Sequence, residues 1–359
     1  MKIAEATRNY EAWLAKRTAL VAADLQLKHQ RMAESPFPFL RATFYRWAQL
    51  WPEVCPDLAK APAVLAVGDS HLENFGTWRD AEGRLIWGVN DFDEAYPMAY
   101  TNDLVRLATS AHLAIAGNHL AIPSADACQT ILEGYQRGLA EGGNPFVLEE
   151  HHGWLRESAS GELRDPVQFW KKMESLATVR GPIPKSATKA LEALLPEKGL
   201  AAYRVTHRVA GLGSLGRQRY VALAAWRGGL VAREAKALVA SACVWANGNH
   251  GSNKILYEQA ISSAVRVLDP YVHLRACWIV RRLAPHCSRI ELSALPRRRD
   301  EGRLLRAMGF ETANVHLGSK QARLAVARDL KKRRPDWLHS AVQAMFKVTM
   351  KDWEEWKQQ

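Results

Sequence analysis

Hydrophobic positions along this chain change their period several times, and each change marks a different kind of element. Up to about residue 50, apolar side chains recur at helical spacing through Trp13, Leu14, Leu20 and Leu25. The run Ser35-Pro36-Phe37-Pro38 breaks that pattern, and Phe39-Leu40 with Phe44-Tyr45-Arg46-Trp47 opens a second helix. Two short apolar runs follow, at residues 63–67 and 85–89, and both read as buried strands. Asn102 and Asp103 stand before Leu104-Val105-Arg106-Leu107-Ala108, a helix start with a capping side chain. Residues 103–200 read as mostly helical, with turns at Gly142-Gly143-Asn144-Pro145 and Gly181-Pro182-Ile183-Pro184.

Alternation sets in at residue 203. Residues 203–210, 218–225 and 230–235 read as strands, separated by a glycine turn and by Arg227-Gly228-Gly229. A helical stretch at 254–268, a strand-like run at 273–283 and a charged helical tail from about Asp300 complete the pattern. It predicts an α+β protein in three parts. Residues 1–200 form a mainly helical lobe carrying a hairpin at 63–95, residues 201–290 a sheet-rich lobe, and residues 291–359 helices that pack on the helical lobe.

Composition narrows this picture. At 359 residues the chain exceeds one average domain, and 48% hydrophobic residues suffice for a full core. No apolar run approaches the roughly 18 residues a membrane span needs, and the charged start MKIAEATRNYEAWLAKR lacks a signal-peptide core. A cytoplasmic location without a membrane span is therefore expected. Cys55, Cys128, Cys243, Cys277 and Cys287 have no CxxC spacing, so reduced thiols are expected rather than a zinc site or a disulfide framework. The net charge of +12, with clusters at Arg281-Arg282, Arg297-Arg298-Arg299 and Lys331-Lys332-Arg333-Arg334, would suit a polyanion. Neither a zinc-finger spacing nor an RNP-type aromatic strand accompanies it, so nucleic acid is not the expected partner.

The chemistry concentrates between Gly68 and Glu94. GDSHLENFG and NDFDE place Asp69, His71, Glu73, Asn74, Asp91, Asp93 and Glu94 around the two strands. Mg²⁺ takes oxygen ligands, usually one or two carboxylates plus substrate phosphates and water. An Asp followed five residues later by Asn, then by a strand ending in Asp, suits phosphoryl transfer. Asp69 would accept the substrate proton, with His71 in the same catalytic stretch. Asn74 and Asp91 would hold the metal, and Asp93 a second ion or the loop.

A second constellation is Gly211-Leu212-Gly213-Ser214-Leu215-Gly216, between two strand patterns. A dinucleotide fingerprint would need a helix after it; strand, glycine turn, strand instead folds over nucleotide phosphates. Arg233 and Lys236 offer a cation on the next strand, and Glu258 in the following helix is the partner expected for it. Two other readings compete. Gly68-Asp69-Ser70 with Asp336-Trp337-Leu338-His339 suits a serine hydrolase in which Ser70 is the nucleophile, His339 its base and Asp336 the orienting group. That leaves Asn74, Asp91, Asp93 and the glycine turn without a role. The other is a non-catalytic nucleotide- or polyanion-binding module.

Several segments together resemble the uncharacterised bacterial family DUF2252. They are residues 35–41, GDSHLENFG at 68–76, NDFDE at 90–94 and residues 103–110, then VAGLGSLGRQRYVAL at 209–223, REAK at 233–236 and RRLAP at 281–285. The central segment also resembles the aminoglycoside and choline kinases of the protein-kinase-like superfamily. Their Gly-Asp-x-His-x-x-Asn, a strand into Asp-Phe and then Asp-Leu map onto Gly68–Asn74, Asp91 and Asp103-Leu104. That resemblance implies ATP and Mg²⁺ as cofactors, Asp69 as base, Asn74 and Asp91 as metal ligands, and Asp103 steadying the loop. The acceptor would be an unidentified hydroxyl or amine on a small molecule or protein. In such kinases the glycine turn precedes the catalytic Asp, whereas here it follows by about 140 residues. The resemblance therefore implies a circularly permuted two-lobed fold. Arg233 stands where those kinases more often carry Lys, and the two cations bind phosphate differently.

Overall fold

Five helices occupy most of the first sixty residues: α1 (Ile3–Ala15), α2 (Ala22–Glu34), α3 (Pro36–Ala42), α4 (Phe44–Val54) and α5 (Pro56–Ala59). The computed structural model describes residues 1–149, 152–159, 165–196, 202–287 and 300–359. α1 buries Ile3, Ala6, Tyr10, Trp13 and Leu14, an apolar stripe at three- and four-residue spacing that must face a core. Ser35 is fully extended, and Pro36 starts α3 at the position where its missing N–H costs nothing. That is the break expected at Ser35-Pro36.

Two small sheets follow. β1 (Ala63–Ala66) pairs antiparallel with β4 (Tyr96–Ala99); β2 (Phe75–Arg79) and β3 (Leu85–Val89) form a hairpin, extended by β5 (Phe146–Val147). α6 (Tyr100–Ala116) and α7 (Ser124–Glu141) lie between β4 and β5, and α8 (Gly153–Ala159), α9 (Pro166–Glu174) and α10 (Lys185–Glu192) come after it. α6 begins earlier than its polar residues suggest. Its N-cap is Ala99, without a side-chain cap, so Asn102 and Asp103 lie inside the helix instead of capping it. Both are drawn instead onto the turn after β1, as described below.

The third and largest sheet is antiparallel in the order β6 (Tyr203–His207), β7 (Arg219–Trp226), β8 (Gly229–Ala237), β10 (Trp278–Leu283), β9 (His273–Arg275). The single strand expected at 273–283 is two, because the chain turns at Ala276, whose φ is 55°. α11 (Ala242–Ala246) and α12 (Tyr257–Ser263) precede it, and the helix expected over 254–268 is only the seven residues of α12. Alternation along the strands gives the sheet two apolar faces. Ala222, Ala235, Ala237 and Val280 pack on Ala187, Ala190 and Leu191 of α10, while Val221, Leu223, Ala232 and Leu283 pack on Met173 of α9.

The chain closes with α13 (Glu301–His316), α14 (Arg323–Lys332) and α15 (Trp337–Lys357). α13 crosses α7 with backbones almost touching: a Cβ on Gly134 would stand 1.9 Å from the carbonyl oxygen of Arg306. Leu104, Tyr135, Met308 and Val342, from α6, α7, α13 and α15, share one core with Phe75 and Trp87 of the hairpin. The C-terminal helices thus belong to the helical part of the molecule. Among the described residues no helix is long and apolar enough to cross a membrane. Of the basic clusters, Arg297-Arg298-Arg299 lies outside the described residues.

Candidate functional site

The turn after β1 depends on a close backbone approach. Gly68 has φ of +80°, and a Cβ there would lie 2.3 Å from the carbonyl oxygen of Glu94. Buried N–H groups of such a turn need acceptors. Asp103, fully buried on α6, accepts from Val67 N at 2.6 Å and from Gly68 N at 3.0 Å. His316 Nε2 lies 3.0 Å from the same carboxylate, and Tyr135 O–H lies 2.9 Å from His316 Nδ1. Asn102 Nδ2 donates to the Gly68 carbonyl at 3.3 Å, and its oxygen accepts from Trp47 Nε1 at 2.9 Å. The start of α6 therefore serves as the clamp that shapes the turn.

Asp69 follows directly. Its Oδ1 accepts from Arg106 Nε at 2.8 Å, and the Arg106 guanidinium, itself wholly buried, lies 5.0 Å from the ring centres of Phe44 and Trp47. Oδ2 stands 4.0 Å from His71 Nε2. Burial raises the Asp69 carboxyl above its ordinary range, against the lowering pull of Arg106 and Arg41. Asn74 ties the two acidic segments together. Its Nδ2 donates to the carbonyls of Asp69 (3.1 Å) and Asp91 (3.0 Å), and its Oδ1 accepts from Asp91 N at 3.0 Å. A second lone pair of that oxygen remains. Glu73 pairs with Arg41 of α3.

NDFDE meets the sheet. Lys236 Nζ lies 2.9 Å from Asp91 Oδ2 and 2.6 Å from Asp93 Oδ1, on a side chain only 2% exposed. Asp91 itself is 38% exposed. Burial would raise Asp91, but Lys236 overrides it and holds the carboxyl below the usual range. Burial and then the neighbouring charge of Asp91 push Asp93 up. Glu94 pairs with Arg217 at 3.2 Å and accepts from Ala242 N at 2.7 Å.

The glycine turn closes over Asp69. A Cβ on Gly213 would stand 3.0 Å from the carbonyl oxygen of Arg41 and 3.5 Å from Asp69 Oδ2. The turn is held by α2, an attachment no sequence motif announced. Val21 N donates to the Gly216 carbonyl at 2.8 Å and Lys28 Nζ to the Gly213 carbonyl at 3.2 Å. Burial pulls the Lys28 amine down to about 8. Asp24 lies 3.0 Å from His207 Nε2 at the end of β6.

Asp69, His71, Asn74, Asp91, Asp93, Gly213 and Lys236 are thus brought together, whereas Arg233 and Glu258 are not. Arg233 is three residues from Lys236 and so emerges on the other face of the strand. There its Nε donates to the Leu194 carbonyl at 2.8 Å and its guanidinium lies 4.9 Å from the Tyr271 ring centre. Glu258 is exposed and accepts from Leu274 N at 2.9 Å. The hydrolase residues stay apart. Ser70 is buried without a hydrogen-bond partner among the described residues, Asp336 accepts from Ser340 and Arg334, and His339 Nε2 meets Gln343. Arg106 and Arg217 are site residues that sequence reasoning missed. Nothing in the periodicity of α6 or the glycine run signals their carboxylate partners. Among the described residues no three His, Cys, Asp or Glu side chains converge as a complete metal cage.

Residues 20–151 match the family described as "Uncharacterized protein conserved in bacteria (DUF2252)". The match takes in the Asp69 turn, the hairpin and the Asp103 clamp; the glycine turn and β8 lie beyond it. No curated protein matches the chain, and no solved structure does.

Proposed function

We propose that this protein is a kinase-like phosphotransferase that binds ATP with Mg²⁺ and transfers the γ-phosphoryl group to a hydroxyl or amine. One contact carries the reading. Lys236, on the third strand of the sheet, meets Asp91, at the end of the hairpin, although 145 residues separate them. Glycine turn, cation-bearing strand and acidic hairpin are the parts a phosphoryl-transfer site assembles. Their order here, hairpin first and sheet after, is what a circular permutation would leave. One part departs from that plan, since Lys236 takes its carboxylates from the hairpin and none from α12.

The donor set suits Mg²⁺. Asp91, Asp93 and the oxygen of Asn74 offer oxygen ligands only, and the exposure of Asp91 leaves room for phosphates and water to complete the shell. Bound there, the ion supplies charge neutralisation at the phosphates. Asp69 presents Oδ2 beneath the glycine turn while Arg106 fixes its other oxygen. It orients the acceptor and takes its proton as the new O–P or N–P bond forms and the bond to the leaving diphosphate breaks. Gly211, Gly213 and Gly216 let backbone N–H groups approach the phosphates. Lys236 offsets phosphate charge.

The test is Asp91→Asn. Mg²⁺-dependent nucleotide turnover should fall about a thousandfold or more, the scale on which a charged transition-state group acts. ATP with Mg²⁺ should also raise the melting temperature of the parent, by roughly 2.7 kcal/mol of stabilisation at 100 times Kd, and fail to do so in the variant. Undiminished turnover in the variant would refute the metal assignment. No stabilisation of the parent by any nucleotide would refute the whole reading.

A further inference from the structure

Glu234 is completely buried on β8, and three guanidiniums converge on it. Arg208, just beyond β6, donates to Oε2 at 2.5 Å; Arg219 of β7 and Arg281 of β10 each donate to Oε1 at 3.0 Å. One carboxylate cannot balance three always-charged groups, so this cluster keeps an excess of positive charge. Glu234 and Lys236 are two residues apart and share a face of the sheet, which places the cluster beside the site. Two of the three arginines are not sealed, with side-chain exposures of 24% for Arg208 and 20% for Arg281. Among the described residues Arg281 spends only Nε on a protein acceptor, and Arg208 only one terminal nitrogen, which leaves most of their donors to a ligand. The glycine turn is built against the third. Arg219 donates to Ser214 Oγ at 2.8 Å, and a Cβ on Gly211 would stand 2.9 Å from that terminal nitrogen.

The same face has an apolar half, and the chain covers it. Val221, Leu223, Ala232 and Leu283 lie under Met173, with Phe169 and Trp170 of α9 packed alongside. A flat base stacking on that half would have to displace the helix. What the face leaves to a ligand is guanidinium.

We propose that the ligand of this site is recognised through a chain of phosphates rather than through a nucleobase, with Arg208 and Arg281 as its binding residues beside Lys236 and with Arg219, spent on Glu234 and Ser214, holding the glycine turn. This rests on the phosphotransferase reading for its location and goes beyond it in ligand class: linear triphosphates with or without a nucleoside. Unspent guanidinium donors suit phosphate oxygens bidentately.

Calorimetric titration of the full chain with inorganic tripolyphosphate, ATP and GTP, each with Mg²⁺, tests it. The three affinities should agree within about tenfold, and Arg208→Gln and Arg281→Gln, each checked by its melting curve, should weaken all three tenfold or more. Lys331→Gln, in an exposed basic cluster, should change nothing. ATP binding more than tenfold tighter than GTP and tripolyphosphate would overturn the proposal. So would tripolyphosphate failing to bind, or binding equally to both arginine variants. The phosphotransferase reading fails separately, by absent Mg²⁺-dependent turnover in a protein that still binds tripolyphosphate.

Discussion

The two walls of the candidate site hold charge in opposite ways. On the hairpin side, Asp69, Asp91, Asp93 and Glu94 face Arg106, Lys236 and Arg217, four carboxylates against three cations. On the sheet side, one carboxylate faces three guanidiniums. They also differ in what fixes them. The hairpin wall is set by backbone: Gly68 against Glu94, Asn74 stapled to two carbonyls, Asp103 holding two N–H groups. The sheet wall is set by the charges themselves, since Glu234 is the common acceptor of residues from three other strands or strand ends. A wall of excess cations next to a wall of excess carboxylates is what a ligand needs when it must be gripped as an anion and also bring a metal.

The comparison breaks most visibly at Glu234. Glu234→Gln removes the carboxylate that all three arginines share, and breaking a buried ion pair costs roughly 3–5 kcal/mol. Urea denaturation should read a loss of that size. Inorganic phosphate should restore part of it, because an anion can take the place of the missing carboxylate. If phosphate stabilises the variant no more than the parent, the sheet wall is not an anion-binding surface.

At the hairpin wall the matching change is Gly68→Ala. A side chain there must adopt positive φ and also push aside the backbone of Glu94, so a loss of roughly 2–4 kcal/mol is expected. Phosphate should not rescue it, since the fault is steric. Equal rescue of both variants would erase the distinction between a wall set by backbone and one set by charge.

The two walls also differ in how far the chain could be read in advance. Asp69, Asn74, Asp91 and Asp93 lie within one hairpin, so their convergence follows from local folding, and a linear scan can see it. The strands after residue 203 likewise show in the pattern, because each is a short run of strand-favouring apolar residues bounded by glycine turns, which is local information. The sheet wall was illegible: Arg208, Arg219, Glu234 and Arg281 span more than 70 residues, and only the strand order brings them to one point. The same limit hid the reach of α2 to the glycine turn and of Arg106 to Asp69. Asn102 and Asp103 looked like a helix cap because capping is the local use of such residues. A distant turn with unsatisfied N–H groups claimed them instead.

The smallest expected effect settles a choice the sequence left open. Arg233 and Lys236 are equivalent to a scan for cations, yet three residues along a strand put them on opposite faces. Arg233 works against the segment that follows α10, holding the Leu194 carbonyl and lying over Tyr271. Arg233→Met should therefore cost about 2–3 kcal/mol of stability, the scale of two buried hydrogen bonds, to the Leu194 and Ala232 carbonyls, and a cation–π contact. Its affinity for tripolyphosphate should stay within about twofold of the parent, because no donor on the ligand face has changed. Lys236→Met, by contrast, leaves Asp91 and Asp93 facing each other without their shared cation, and should weaken binding by tenfold or more. Calorimetry on the two variants separates the faces. If Arg233→Met weakened binding as much as Lys236→Met, the ligand would have to contact both faces of one strand, and the binding site would not be where Lys236 meets Asp91.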